Sequence, residues 1–221
     1  MQRHVVFAEI SGGFGKVTNA HHQSTSANED GSFARIRAEG FPDGSALGFG
    51  ASLESFDTQN EGRNDLTAGD YFLHATTSAA IGKADVPIRY GVFFGGVDYD
   101  NTVTGSETEI GLFGVRVAAE PTLTIYEGES SKINLRGFLQ LGLHYAAIDY
   151  ELGSNTAEVN AFGSHYGLGA GIQAELSNTL ISLEYLFRSY TYRETDEDNN
   201  IKLRGETLEF DGVVFSVGLK F

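Results

Sequence analysis

Apolar and polar residues alternate along most of this chain with a period of two, which is the spacing of a β-strand. Ten runs carry the pattern, and each has one apolar face. Val6, Ala8, Ile10, Gly12 and Phe14 share the first such face, and Ala34, Ile36 and Ala38 the second. Leu47–Leu53, Tyr71–Ile81, Ile88–Phe94 and Phe113–Ile125 follow, then Ile133–Tyr145, Tyr166–Leu176, Ile181–Phe187 and Val213–Phe221. No Asp, Glu, Lys or Arg falls on these faces, whereas the interleaved positions hold Arg, Glu, His, Gln, Ser and much Gly. No sustained helical stripe with caps competes. The pattern predicts a single all-β domain over residues 1–221 with ten strands, and leaves eight or twelve open.

Period two fits a soluble barrel or sandwich, which buries its apolar face, and equally a membrane barrel, which turns that face to lipid. The connections separate the two. Short turns fall near Pro42-Asp43-Gly44, Gly82–Asp85, Glu127–Ser130 and Ser177-Asn178, and long polar stretches at about 17–31, 57–70, 98–109, 149–160 and 193–211. Short and long alternate, so all long connections lie at one end and both termini at the other. Phe14, Tyr71, Phe94, Phe113, Tyr145 and Phe187 sit on the apolar faces near the long-loop end, as an interfacial aromatic girdle would. The expected architecture is a transmembrane up-and-down antiparallel β-barrel.

Composition narrows the function classes. The chain has 221 residues, with 30 acidic residues against 15 Lys and Arg, for a net charge of -15. That balance opposes nucleic-acid binding, which needs clustered cations against phosphate. The absence of Cys excludes disulfides and thiolate metal sites. No apolar run is long enough for a transmembrane helix. No secretory signal precedes the first strand, so a processed or trimmed form is expected.

The chain ends Val213-Val214-Phe215-Ser216-Val217-Gly218-Leu219-Lys220-Phe221. A final Phe preceded by apolar residues at alternate positions (Val213, Phe215, Val217 and Leu219) resembles the terminal signature of bacterial outer-membrane β-barrel proteins. The resemblance implies an outer-membrane location and recognition of Phe221 and its alternate neighbours by the barrel-assembly machinery. It also implies long loops outside and both termini in the periplasm, with membrane lipid and lipopolysaccharide as surroundings. Ten strands look like omptins or Opc-type adhesins, but the paired Asp and Asp-His motifs of an omptin-like protease are missing, so no subfamily is assigned.

Parity places a charged set inside the barrel: Glu9, Arg35, Arg37, Glu39, Glu54, Arg89, Arg116, Glu120, Arg136, Glu175, Glu184 and Arg188, with Lys220. Charges taken out of water must pair, so these residues form either a filling ion-pair network or a selectivity ring. His74, His144 and His165 also face inward. A hairpin centred near 154–155 brings His144 and His165 together, with Arg116 and Tyr190 beside them. Adjacent histidines suit a transition metal or a general base, but no inward serine and acid complete a triad, so these are weak catalytic candidates.

Twenty acidic residues, Asp70 among them, fall in the long connections and strand tips, against Arg63, Arg193, Lys202 and Arg204. The negative charge is therefore concentrated at the long-loop end. Asp98 and Asp100, and Asp196, Glu197 and Asp198, supply oxygen ligands suited to Ca²⁺ or Mg²⁺, though neither group has EF-hand spacing. No other cofactor is expected. The leading expectation is a non-enzymatic surface or interaction barrel with a filled polar lumen. A small cation-leaning diffusion channel comes second and a hydrolase using the lumen histidines third; the external ligand is not legible.

Overall fold

The computed structural model describes residues 5–21, 27–42, 45–58, 64–101, 106–193 and 206–221. They form β1 (Val5–His21), β2 (Ala27–Phe41), β3 (Gly48–Thr58), β4 (Asn64–Ile81), β5 (Ala84–Asn101) and β6 (Ser106–Ala119), then β7 (Thr122–Glu127), β8 (Ser131–Leu152), β9 (Asn155–Leu176), β10 (Thr179–Tyr192) and β11 (Glu206–Lys220). Neighbours pair antiparallel, and β1 pairs with both β2 and β11, so the sheet closes on itself. β6 and β7 share one place in the wall, between β5 and β8. The result is the expected ten-stranded barrel.

The run over 113–125 reads as one strand in the sequence, yet it breaks at Glu120-Pro121. Proline cannot donate to a ladder, and its neighbours bond irregularly: Glu120 N donates to Pro87 O, and Gly137 N to Pro121 O. A bulge between Thr124 and Tyr126 then shifts the register. Tyr126, inward by simple parity, is consequently exposed on the outside.

Register fixes the dimensions. One row of cross-strand partners runs Phe7, Glu39, Gly50, His74, Gly91, Arg116, Gly142, His165, Tyr190, Leu208, and returns to β1 at Asn19. The circuit returns twelve residues further along β1, from 7 to 19, which is the stagger of the barrel. With ten strands it gives a tilt of about 40° and a backbone radius of about 10 Å.

The long connections are shorter than the sequence suggests. β8 and β9 run to a two-residue turn at Gly153-Ser154, with Gly153 at φ 63°, where residues 149–160 were expected to be loop. Residues 17–21, 27–31, 64–70, 98–101, 106–109 and 206–211 are likewise strand. In these upper segments the polarity inverts. Along β8, Leu139, Leu141, Leu143 and Tyr145 point out and Gln140 and His144 point in; higher up, Asp149 and Glu151 point out and Ala146 and Ile148 are buried. Val17, Phe33, Phe56, Leu66, Val97, Ile110, Val159 and Phe210 join them in an apolar core inside the loop end. The lower barrel thus wears its apolar residues outside, with Phe14 73% and Leu143 65% exposed, and the upper barrel wears them inside. Such an inversion marks where lipid gives way to water.

Candidate functional site

The lumen holds the chemistry, in two tiers. Near the turn end, Glu120 accepts from Arg37 at 2.5 Å and Arg136 at 2.6 Å and lies 2.8 Å from Arg89. Glu9 holds Arg35 at 2.9 Å and Arg37 at 3.3 Å, and Arg136 reaches Glu184 at 2.7 Å. Arg89 is bidentate on Glu39, at 2.6 and 2.9 Å. Above them Arg188 bonds Glu54 at 2.7 Å and Gln140 at 2.5 Å. Arg116 grips both oxygens of Asp70, at 2.8 and 2.5 Å, while Tyr190 donates to the same carboxylate at 2.6 Å.

Every cation in this set is arginine. The planar guanidinium serves several acceptors at once and stacks on rings. Arg116 lies between Phe72 and Phe93, 5.1 and 4.5 Å from the ring centroids. Arg188 stacks on Phe138 at 4.7 Å, and Arg37 on Phe7 at 4.9 Å. Among the described residues the buried charges are six arginines and six carboxylates, so the lumen is neutral.

Asp70 is the member that the sequence reading misplaces. Its neighbours made it part of a loop, yet β4 continues past it and it is 3% exposed. The signal was present, since Asp70 shares the parity of Phe72 and His74. Glu175 departs in the other direction: it is only partly buried and pairs with Lys220 at the turn-end rim, 2.8 Å away, apart from the network.

The three histidines are brought together only in part. Thr76 donates to Glu39 at 2.5 Å, so its oxygen is free to accept from Nδ1–H of His74, 3.2 Å away. Across the barrel, His165 Nε2 accepts from Arg116 Nε at 3.0 Å, which leaves the proton on Nδ1. His144 and His165 are diagonal neighbours rather than opposite each other, with rings stacked at 5.8 Å. Tyr190 also stacks on His165 at 5.3 Å, and Phe93 meets it edge to face at 4.6 Å. Among the described residues no group of three or more His, Cys, Asp or Glu is arranged to hold a metal. Asp98 is exposed on the outer face of β5, and Asp100 lies two residues further along the same strand; Asp196, Glu197 and Asp198 lie outside the described residues.

Glycines make room for these large groups. In the row of register partners, Glu39, His74, Arg116 and His165 alternate with Gly50, Gly91 and Gly142. A Cβ on Gly142 would lie 2.0 Å from His165 Cε1, and one on Gly163 2.2 Å from His144 Nε2. Above the charges, Phe33 stacks on Phe210 at 5.3 Å and Phe56 packs on Tyr190 at 6.1 Å, so the upper tier is filled by rings. The gap left among Leu66, Val97, Thr108, Ile110, His144 and Tyr192 is about one water molecule in size.

This closed ten-stranded barrel, apolar outside and charged within, has the fold of the bacterial outer-membrane β-barrel proteins. Over 98% of its length the chain is similar to the outer membrane protease OmpT of Escherichia coli, with a TM-score of 0.58, 10% identity and 97% of that chain covered. It also matches the Neisserial surface protein A (TM-score 0.40, 11% identity, 99% and 97% coverage). The attachment invasion locus protein Ail of Yersinia pestis is a further match (TM-score 0.36, 11% identity, 97% and 98% coverage). No family model matches the chain, and no curated protein matches it.

Proposed function

We propose that the chain is an integral outer-membrane barrel with a closed lumen, and that its acidic loop end faces the medium as an interaction surface. Both termini, at the turn end, are then periplasmic. The observation that carries this reading is the double filling of the lumen. A neutral lattice of six arginines and six carboxylates occupies the membrane level, and packed aromatic and aliphatic side chains occupy the level above. In planar bilayers the purified barrel is expected to give no discrete conductance steps. Reproducible steps with cation preference would instead establish the diffusion channel. On this reading the outward belt contacts lipid, and Phe221 with its alternate neighbours in β11 serves the assembly machinery.

A second reading concerns the outer rim. Asp98, Glu109, Asp149 and Glu158 are successive register partners across β5, β6, β8 and β9. Asp100, Glu107 and Glu151 form a second such row. Like charges directly opposite one another destabilise a sheet, and Ca²⁺ or Mg²⁺ bound there would relieve the repulsion and could bridge to the phosphates of lipopolysaccharide. A divalent ion that binds only the folded rim stabilises it, by about 2.7 kcal/mol at a hundredfold excess over Kd. Millimolar Ca²⁺ is therefore expected to raise the unfolding temperature in detergent, beyond sodium at equal ionic strength. An equal response after Glu109→Gln and Asp149→Asn would exclude the first of these rows.

A further inference from the structure

The aromatic girdle is not level. Tyr71, Phe94, Phe113, Tyr145 and Phe162 form one unbroken row of register partners across five positions in the wall, β4 to β9. All five point outward and are exposed, Phe162 at 71%. Phe94 packs on Phe113 at 5.1 Å, and Tyr145 on Phe162 at 5.5 Å. A row perpendicular to strands tilted by about 40° climbs about 3 Å per strand, so Phe162 stands about 12 Å above Tyr71. On the next strand the last outward ring is Phe187, six residues below Arg193, the position whose N–H bonds Phe162 O. At about 2.5 Å of height per residue, Phe187 falls back to the level of Tyr71. A flat lipid surface cannot cover both, and the Phe113–Phe162 end of the stripe emerges above it.

What flanks the emerging stripe gives it a chemistry. The next outward positions above the rings are Gly69, Gly96, Gly111 and Ala147, a shelf of nearly bare backbone that ends at the exposed Asn160 above Phe162. Above the shelf stand Asp98, Glu109, Asp149 and Glu158. Successive outward rows are about 6.6 Å apart along a strand. The result is a groove with an aromatic wall below, a carboxylate wall above, and room for an extended segment of about six residues.

We infer that this groove docks a cationic amphipathic polypeptide segment, one whose apolar side chains meet the rings while its Lys or Arg side chains meet the carboxylates. Charge complementarity selects this occupant. A second copy of the chain would bring a matching acidic rim against this one, and lipopolysaccharide phosphates, without a divalent cation to bridge them, would be repelled. The inference rests on the reading of the loop end as an interaction surface, and it names the partner's chemistry.

The test uses the full chain in phosphatidylcholine nanodiscs and three labelled octapeptides: alternating Lys-Leu, alternating Glu-Leu, and octalysine. Empty nanodiscs give the background. Lys-Leu is expected to bind at least tenfold more tightly than either control. Phe113→Ala with Phe162→Ala should weaken it at least tenfold, and so should Glu109→Gln with Asp149→Asn, which should also flatten its salt dependence. These side chains are exposed, so heat-modifiable gel migration should show folded barrels throughout. Octalysine binding as well as Lys-Leu, or indifference to the aromatic pair, would reduce the surface to its charge and overturn the proposal. Cross-linked dimers lost on Phe162→Ala would overturn it in favour of a second copy. Binding lost in lipopolysaccharide-containing discs, together with their retention by the stripe, would overturn it in favour of lipid. Conductance of the same proteins reports the closed lumen separately, so a failed groove and a failed seal are distinguishable.

Discussion

Replacing Glu120 with alanine is expected to destabilise the barrel by about 3–5 kcal/mol, the usual cost of breaking a buried ion pair from one side. This carboxylate faces three guanidinium groups, at 2.5 Å from Arg37, 2.6 Å from Arg136 and 2.8 Å from Arg89. Its loss leaves six buried cations against five anions at a level where water cannot replace it. Each arginine retains another partner: Arg89 keeps Glu39, Arg136 keeps Glu184, and Arg37 keeps Glu9. The effect should therefore fall toward the lower end of the range. Glu120→Gln keeps the shape and should cost less than alanine, though it restores no charge. Adding Arg37→Gln to Glu120→Gln returns the lumen to neutrality, so the pair should lose less than the two single changes summed. Urea unfolding in lipid vesicles, followed by heat-modifiable migration, measures these variants and Arg37→Gln alone. Wild-type resistance in Glu120→Ala would mean that the lattice fills the lumen without holding it.

The lattice was largely legible from parity, because a two-residue period fixes the face of every residue once one residue is placed. Arg136 falls opposite Thr122, and Glu184 opposite Gly171, where tight turns at 127–132 and 177–178 require them. What parity could not show is where the solvent changes. Along β8 the alternation continues through Tyr145 to Glu151, but the apolar residues move from the odd positions to the even ones. Followed along a single face, that change reads as the end of a strand, and the upper segments read as loops. Asp70 was misplaced for the same reason: it stands at the inversion on β4, where a charge still faces inward while Thr67 already faces water. The inclined stripe of Tyr71 to Phe162 was hidden too. Each ring is visible as the last outward aromatic of its run, but their alignment depends on the stagger around the whole barrel, which only the closed register supplies.

That same register accounts for the second large effect. Gly142→Ala is expected to cost about 3 kcal/mol, the upper part of the range for inserting a methyl group into a packed interior. Gly142 stands between Arg116 and His165 in the row where large side chains alternate with glycine. A Cβ there would lie 2.0 Å from His165 Cε1, 2.3 Å from its Nε2 and 2.6 Å from Val115 O. The ring cannot withdraw freely, because Tyr190 stacks on it at 5.3 Å and Arg116 donates to it at 3.0 Å. The Val115 carbonyl belongs to the adjacent strand and can yield only if the ladder bends. Gly12→Ala is the internal control: a Cβ there meets nothing within 4 Å and points toward lipid. It should be neutral or stabilising by up to about 1 kcal/mol, through the reduced entropy of the unfolded chain. His165→Gly removes the ring contact and leaves the carbonyl contact, but it also removes the acceptor of Arg116 Nε, so the reference is His165→Gly alone. In that background Gly142→Ala is expected to cost less than it does in the wild type, in the same urea assay. No cost at all would show the carbonyl contact to be harmless. An undiminished cost would reject the clash with His165 as the reason that glycine occupies this row.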